Sequence, residues 1–428
     1  MGRPREALNN GTHLWEKTVI LFSIDGLKPS YLTPEHLPNL HRLSSIDDAR
    51  TLFGPSMWPM SPSLTFPNHW SLMTGLEPSS HGIVANDFLD VGKNKTFYYT
   101  DPARSWDAGW WKGVPLWEAV QRQGRRSANL MWPGPPKTTR GASPDFFQEY
   151  ESPRDWPMER RLAHLLRWID LPSDQRPSFI CGYAPDIDSL THSHGVNISH
   201  PSITEALLSI DELLPSLLSA IALRNATDLV DIILVSDHGM TSTSNDRLLF
   251  LDDILGPALF SRIKSRHAWP NVELRFESAD DEDEARAALS RARKKYRTFD
   301  VLDRSQLVER FNWSADAGSL HDRVGNLWAL PDVGYSFTTH EEMRSFEDGV
   351  YSPRGNHGYD SRSADMQAFF LAHGPSFRKR PTPQVPTFPN TEIYNLVLDI
   401  LAVDNAHRAP NNGTPHFWDN YLRANAID

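Results

Sequence analysis

An almost unbroken apolar stretch near the start of the chain, Thr18-Val19-Ile20-Leu21-Phe22-Ser23-Ile24, stops abruptly at Asp25. Three further runs have the same shape. Phe179–Ala184 leads toward Asp188, Asp231–Ser236 ends at Asp237, and Ala368–Ala372 ends at His373 and Gly374. Strands that are apolar at every position, rather than at alternate ones, suit a parallel sheet covered on both faces. Helical patterns lie between them. Ile203, Leu207, Ile210, Leu214, Leu217 and Ile221 keep one face of a helix that Pro215 is expected to kink. The pattern predicts an α/β fold, with polar residues gathered where parallel strands end, the place where open α/β sheets hold their sites.

A second region has a different texture. Asn271–Glu277 alternates like a strand with one wet face, and Asp280–Tyr296 reads as a helix. That helix starts acidic (Asp280, Asp281, Glu282, Asp283, Glu284) and ends basic (Arg291, Arg293, Lys294, Lys295). The gradient complements the helix dipole, so it reads as a solvated helix and not as a binding patch. Residues from about Pro257 to Phe337 are expected to form a small α+β insertion between strands of the main sheet. Pro381–Pro389, with four prolines in nine residues, reads as an extended surface segment. No repeats or low-complexity tracts interrupt the chain.

Composition narrows the function classes. At 428 residues the chain is long enough for one large α/β domain or two to three ordinary ones. A net charge of −11 argues against a protein held by nucleic-acid phosphates or an anionic membrane surface. One cysteine excludes an intrachain disulfide and a Cys-rich zinc module, so any metal must be held by the 17 histidines and by carboxylates. The apolar runs are strand-sized, well short of a membrane span. Met1–Asn10 is polar and lacks the apolar core of a signal peptide. Six N-x-S/T sequons, at Asn10, Asn94, Asn197, Asn225, Asn312 and Asn412, pull the other way. Roughly three would arise by chance at this composition, so the excess is a hint of a secretory route. An upstream targeting segment outside this chain would reconcile the two signals.

Four clusters can carry chemistry. Asp25 ends the first strand within Ser23-Ile24-Asp25-Gly26, although Asp-Gly is also a common turn. Asp237 and His238 follow another strand, and adjacent residues in a turn can both face one metal. In Asp186–Gly195, Asp188 and His192 stand four residues apart, which brings carboxylate and imidazole to one side of a turn. Asp186 and His194 compete with them, and all of these also read as polar loop residues. His357 lies between glycines in Gly355-Asn356-His357-Gly358. Three carboxylates and three imidazoles suit hard or borderline divalent ions and leave room for a nucleophile. Thr65 is the candidate. Pro67 suits the first turn of a helix, which puts Thr65 at or just before the N-terminus, where free N–H groups favour an anion. An ordinary N-cap is the competing reading.

Taken in order, Phe22–Gly26, Thr65-Phe66-Pro67-Asn68-His69, His81-Gly82-Ile83-Val84-Ala85-Asn86, Ser236–Met240 and Gly355–Gly358 resemble the nucleotide pyrophosphatase/phosphodiesterase family of the alkaline phosphatase superfamily. Trp110-Trp111, Met131-Trp132-Pro133-Gly134 and Pro410–Thr414 add to the likeness, which runs from about Thr18 to Leu422. The resemblance implies an alkaline-phosphatase-like, mostly parallel sheet flanked by helices. It divides the chain into an extension over 1–17, a catalytic domain over 18–422 with the insertion at about 257–337, and a tail over 423–428. It also implies two zinc ions. Asp188, His192 and His357 would hold one, while Asp25, Thr65, Asp237 and His238 would hold the other. Thr65 would attack phosphorus to give a phosphothreonine intermediate, and Asn86 would donate to a non-bridging phosphate oxygen.

Phe66 and Tyr150 match positions where nucleotide-cleaving members stack a base. Trp132 either lines that pocket or is a buried core tryptophan. Two departures stand out: Trp70 replaces a common tyrosine, and Ser361 a common asparagine. The expectation is a monomeric, zinc-dependent hydrolase of nucleotide phosphodiester and pyrophosphate bonds in an extracellular or vacuolar lumen, with no nucleic-acid scaffold as partner. The alternative is a choline-type phospholipid phosphodiesterase or a phosphomonoesterase on the same bimetal site. A non-catalytic binding protein would predict eroded ligands, and all seven inferred ligands are present.

Overall fold

The computed structural model describes residues 8–11, 14–45, 50–315, 318, 320–378 and 384–423. Parts of the 1–17 extension, of the proline segment 381–389 and of the 423–428 tail lie outside the described residues.

Seven strands make the central sheet: β1 (Thr18–Ile24), β2 (Thr51–Phe53), β3 (Ser127–Leu130), β4 (Phe146–Gln148), β5 (Phe179–Ala184), β6 (Val230–Val235) and β11 (Phe370–His373). Their spatial order is β2-β11-β6-β1-β5-β3-β4. Neighbours from β6 to β4 pair in parallel, while β11 runs antiparallel to both β6 and β2. The sheet is α/β and mixed, with β11 the reversed strand. An all-apolar run reads the same in either direction, so that reversal was not available from pattern.

Alternate residues of the central strands enter two different cores. Val19, Leu21, Ile233 and Val235 pack on one face with helix α1 (Thr65–Thr74). Ile20, Phe22, Ile232 and Leu234 pack on the other. Each such side chain, taken from water, contributes about 1.5–3 kcal/mol. Helix α2 (Asp186–His194) follows β5, and two helices, α3 (Pro201–Asp211) and α4 (Leu213–Leu223), cover the second face. The expected kink is a break at Glu212. Pro215 has no N–H to offer the carbonyl four residues back, so the ladder lapses there. The stretch 201–223 is long and apolar enough to cross a membrane by length and composition. Its apolar stripe, Ile203, Leu207, Ile210, Leu214, Leu217 and Ile221, is instead buried within the second core.

Four antiparallel strands form a separate sheet: β7 (Ile263–His267), β8 (Val272–Phe276), β9 (Phe299–Leu302) and β10 (Leu327–Pro331), in the order β7-β8-β10-β9. Helix α5 (Ala279–Tyr296) buries Ala285, Ala288 and Leu289 against it and turns its charges outward. The Ser278 side chain caps α5 by accepting from the Asp280 N–H. Where this unit leaves and rejoins the main body, Leu248–Phe250 pairs with Ser336–Thr338.

Candidate active site

Parallel pairing in register brings three strand ends to one edge. Ala184 pairs with Ile24, and Val235 with Ser23, so Asp25, Asp237 and the start of α2 emerge side by side. One turn of α2 then sets His192 Nε2 3.4 Å from Asp188 Oδ1. His357 arrives from a distant part of the chain. Gly355–Asn356 pairs with Thr241–Ser242, just after His238, and places His357 Nε2 3.5 Å from Asp188 Oδ1. His238 Nε2 lies 2.9 Å from Asp237 Oδ2, 3.4 Å from Asp25 Oδ1 and 3.2 Å from Thr65 Oγ1. The His238 and His357 rings stack with centroids 3.6 Å apart.

The hydrogen bonds of the three rings decide which nitrogen faces inward. Nδ1 of His192 lies 2.8 Å from the Gly355 carbonyl, that of His238 2.9 Å from Gly239 O, and that of His357 3.0 Å from Ser63 O. A carbonyl only accepts, so each Nδ1 carries the proton and each Nε2 presents a lone pair. Those lone pairs face carboxylate oxygens that are themselves electron-rich. Among the described residues, Asp25 Oδ1, Asp188 Oδ1 and Asp237 Oδ2 are buried with no hydrogen-bond partner. Nitrogen and oxygen lone pairs converging at 2.9–3.5 Å repel unless a cation lies between them. The residues present fit divalent metal ions. Two compatible ligand groups occur here, Asp188 with His192 and His357, and Asp25 with Asp188 and His238; His69 also lies near Asp25 and Asp237, but its Nδ1 bonds to the Thr65 carbonyl.

Titration directions carry the same message. Burial, reinforced by the charges of Asp237 and Asp188, holds Asp25 well above the usual carboxylate range. Burial also raises Asp188. Burial works against ionised Asp237, but His238 and His69 outweigh it and hold that carboxyl low. Burial works against protonated His238, yet Asp237 and Asp188 raise it. His357 is pushed well below its ordinary range by burial and by its neighbours His238 and His192. The site demands positive charge and cannot protonate all of its histidines together, which is the condition a metal relieves.

Thr65 is the first residue of α1. Leu64 holds the N-cap position and makes no side-chain cap bond, so the N-cap reading of Thr65 gives way to a hydroxyl turned toward His238. Beside it, Asn86 Oδ1 accepts from the Phe66 N–H at 3.0 Å, which leaves the amide Nδ2 free to donate. Both residues open on a cavity of about 480 Å³ whose walls include Phe66, Tyr99, Phe147 and Tyr150. Tyr150 is more than half exposed at the rim. Trp132 touches the cavity edge but is 3% exposed and packed against the His69 ring, closer to the buried-core reading than to a stacking wall. Asp186 is engaged by Arg161, and His194 stacks on His200, so neither competes for the centre.

Three residues escaped the sequence reading. Tyr183 donates to Asp25 Oδ2 at 2.5 Å. The fully buried His69 lies 2.9 Å from Ser23 Oγ through Nε2 and 2.9 Å from Thr65 O through Nδ1. Tyr99 walls the cavity and packs edge-on to Phe66. His69 sits inside the Thr65–His69 motif, four residues from Thr65, a spacing that could have flagged it. Nothing local marks the tyrosines. The two departures sit outside the ligand set: Trp70 donates to Lys112 O, and Ser361 lies 2.8 Å from Ser61 Oγ.

Comparison with known proteins bears directly on this arrangement. A family model described as "Type I phosphodiesterase / nucleotide pyrophosphatase" matches residues 19–360, a span that contains every residue of the centre. The chain belongs to that family. Its members are hydrolases named for phosphodiester and pyrophosphate bonds. Over 413 residues the chain is 34% identical to an uncharacterized pyrophosphatase/phosphodiesterase of Schizosaccharomyces pombe, covering 95% of this chain and 81% of that protein. It is 33% identical over 417 residues to ectonucleotide pyrophosphatase/phosphodiesterase family member 3 of Rattus norvegicus, but spans only 44% of that relative's length. Among solved structures, human ectonucleotide pyrophosphatase/phosphodiesterase 5 superposes with a TM-score of 0.81 at 27% identity, covering 95% of this chain and all of that one. The fold is therefore the alkaline-phosphatase-like one that the motifs implied.

Proposed function

We propose that this member of the family is a two-zinc phosphodiesterase/pyrophosphatase that releases nucleoside monophosphates through a phosphothreonine on Thr65. The observation that carries this reading is the convergence of three oriented Nε2 lone pairs with three unpartnered buried carboxylate oxygens beside the Thr65 hydroxyl. Asp188, His192 and His357 would hold one ion, and Asp25, Thr65, Asp237 and His238 the other. When bound, zinc supplies positive charge that lowers the pKa of a hydroxyl or water and stabilises charge on the reacting phosphate oxygens.

The chain's own residues do the rest. Thr65 Oγ1 forms a bond to phosphorus as the bond to the leaving oxygen breaks, the hydroxyl proton passing to solvent at the cavity mouth. Asn86 Nδ2, with its carbonyl committed to Phe66 N–H, donates to a non-bridging oxygen as charge builds there. Phe66 and Tyr150 offer flat faces to a nucleobase. Water then cleaves the phosphothreonine and regenerates the Thr65 hydroxyl. Support for a nucleotide comes from the murine member 5, solved as an inactive threonine-to-alanine variant in complex with AMP, at 26% identity and a TM-score of 0.79.

We read residues 18–422 as one catalytic unit with an insertion at about 257–337, acting as a monomer. A secretory route, to an extracellular or vacuolar lumen, is supported by the sequons and by relatives such as venom phosphodiesterase 2 of Crotalus adamanteus, 31% identical over 421 residues.

The test pairs metal analysis with two substrates on one preparation. The expected result is two zinc ions per chain, activity lost to a chelator and restored by zinc, and faster hydrolysis of p-nitrophenyl thymidine monophosphate than of p-nitrophenyl phosphorylcholine. Preference for the choline ester would replace the nucleotide reading with the head-group one. A chain with no zinc and no zinc-restored turnover would overturn the metal reading.

A further inference from the structure

The four-stranded insertion contributes none of the candidate ligands, yet several of its side chains, Trp313 and Leu320 among them, pack into the core of the main body, and one that enters there is charged. Arg323, in the short helix Leu320–Arg323, is 3% exposed. Its Nε donates to Asp90 Oδ2 at 3.0 Å, and its Nη1 donates to Gly82 O at 2.6 Å and to Trp110 O at 2.7 Å. Gly82 and Asp90 are the two ends of the segment that carries Asn86. A guanidinium is a rigid planar fork, so a single side chain holds both ends of that segment at a set separation. Gly82 is in the left-handed region (φ +86), and a Cβ there would lie 2.5 Å from Arg323 Nη1. The backbone is thus built around the arginine.

Two other contacts tighten the same segment. Within it, the Ile83 N–H donates to His81 Nδ1, and His81 Nε2 lies 3.1 Å from Pro67 O on α1, the helix that begins at Thr65. On the insertion side, His267 Nδ1 lies 2.8 Å from Asp87 Oδ2, and the Ala268 N–H donates to Asp87 Oδ1. Asp87 is the residue immediately after Asn86. The Asn86 amide is therefore clamped between the nucleophile's helix and the insertion.

We infer that the insertion acts as a clamp on the phosphate-facing segment, with Arg323 as a positioning residue that sets Asn86 against Thr65. This rests on the reading of Asn86 as a phosphate-oxygen donor. It gives the insertion a task in the reaction that its distance in sequence from every ligand conceals. A misplaced donor weakens transition-state charge stabilisation more than it weakens substrate binding, so the loss should fall on kcat.

The experiment is a double-mutant cycle on the zinc-loaded chain, using p-nitrophenyl thymidine monophosphate. Arg323→Lys keeps the charge beside Asp90 but loses the fork, which limits the risk of an unpaired buried carboxylate. Asn86→Ala alone is expected to lower kcat about 100-fold, the size of one lost oxyanion donor. Arg323→Lys alone should lower kcat about tenfold with KM within twofold, and in the Asn86→Ala background its further loss should be under about twofold. A tenfold loss from Arg323→Lys in both backgrounds overturns the clamp while leaving the Asn86 reading intact. Full turnover in Asn86→Ala overturns the donor reading, and the clamp falls with it. Thermal unfolding of each variant is measured in parallel. If Arg323→Lys is too unstable to assay, Asp87→Asn takes its place in the same cycle, with the same two outcomes.

Discussion

Replacing Thr65 by alanine separates chemistry from stability. The side chain is 7% exposed, and its hydroxyl meets His238 Nε2 at 3.2 Å without capping the helix, since Leu64 occupies the N-cap. Thr65→Ala therefore removes one neutral hydrogen bond, about 1 kcal/mol, while alanine's better helix propensity returns about 0.5 kcal/mol. For a chain of 428 residues that net change shifts Tm by about 2 °C or less. Turnover has no such compensation. Loss of the nucleophile of a covalent mechanism costs roughly 10^4-fold or more in kcat, about 5 kcal/mol of transition-state stabilisation. The assay is single-turnover hydrolysis of p-nitrophenyl thymidine monophosphate with zinc content measured on the same sample, followed by acid quench and mass analysis of the peptide that spans residue 65. The wild type and Thr65→Ser should yield a nucleotidyl adduct on that peptide, and Thr65→Ala should yield none. Zinc-loaded Thr65→Ala with turnover within tenfold of the wild type, or an adduct on another residue, refutes the reasoning.

Two further outcomes follow from the same geometry. Burial, aided by the charge of Arg323, lowers His81 from its ordinary 6.5 to about 3. Above pH 6.5 both states are neutral there; as pH falls below 6.5, the unfolded chain takes a proton that the folded chain refuses until about pH 3, so stability drains across that window. At pH 5 the loss is about 2 kcal/mol relative to pH 7.5. Urea unfolding at the two values should show a loss about 2 kcal/mol larger in the wild type than in His81→Gln, since His69 and His357 titrate in the same direction in both, and parallel pH dependences would contradict it. Tyr183→Phe removes the hydroxyl that donates to Asp25, and metal affinity should fall about 10–100-fold with little change in Tm, read by competition with a chromogenic chelator. Unchanged affinity would mean that Tyr183 does not orient Asp25.

Much of the fold was legible because burial on both faces leaves a plain mark. Thr18–Ile24 and Phe179–Ala184 read as strands from end to end, since all their positions are buried and nearly all carry apolar side chains. The charge gradient from Asp280 to Lys295 announced α5 by the same economy, because one polar helix face needs no partner. Less local features were hidden. The direction of β11 depends on how the chain returns, and the break at Glu212 lies three residues before the proline that causes it.

For the site, residue types and spacing were enough to nominate Asp25, Thr65, Asp188, His192, Asp237, His238 and His357 as candidates, with Asp186 and His194 as competitors, and the family resemblance added Asn86. Sequence by itself supplied the candidate residues and, through one cysteine, the exclusion of a disulfide and of a Cys-rich metal module. Only the tertiary structure decided how that inventory is held. Strand register placed Tyr183 on Asp25, three unrelated carbonyls chose the tautomer of each histidine, and a remote arginine bridged the ends of the Asn86 segment. Ligand identity is a property of a side chain and can be read one residue at a time. Orientation depends on the partners of that side chain, and those partners become neighbours only when the chain folds.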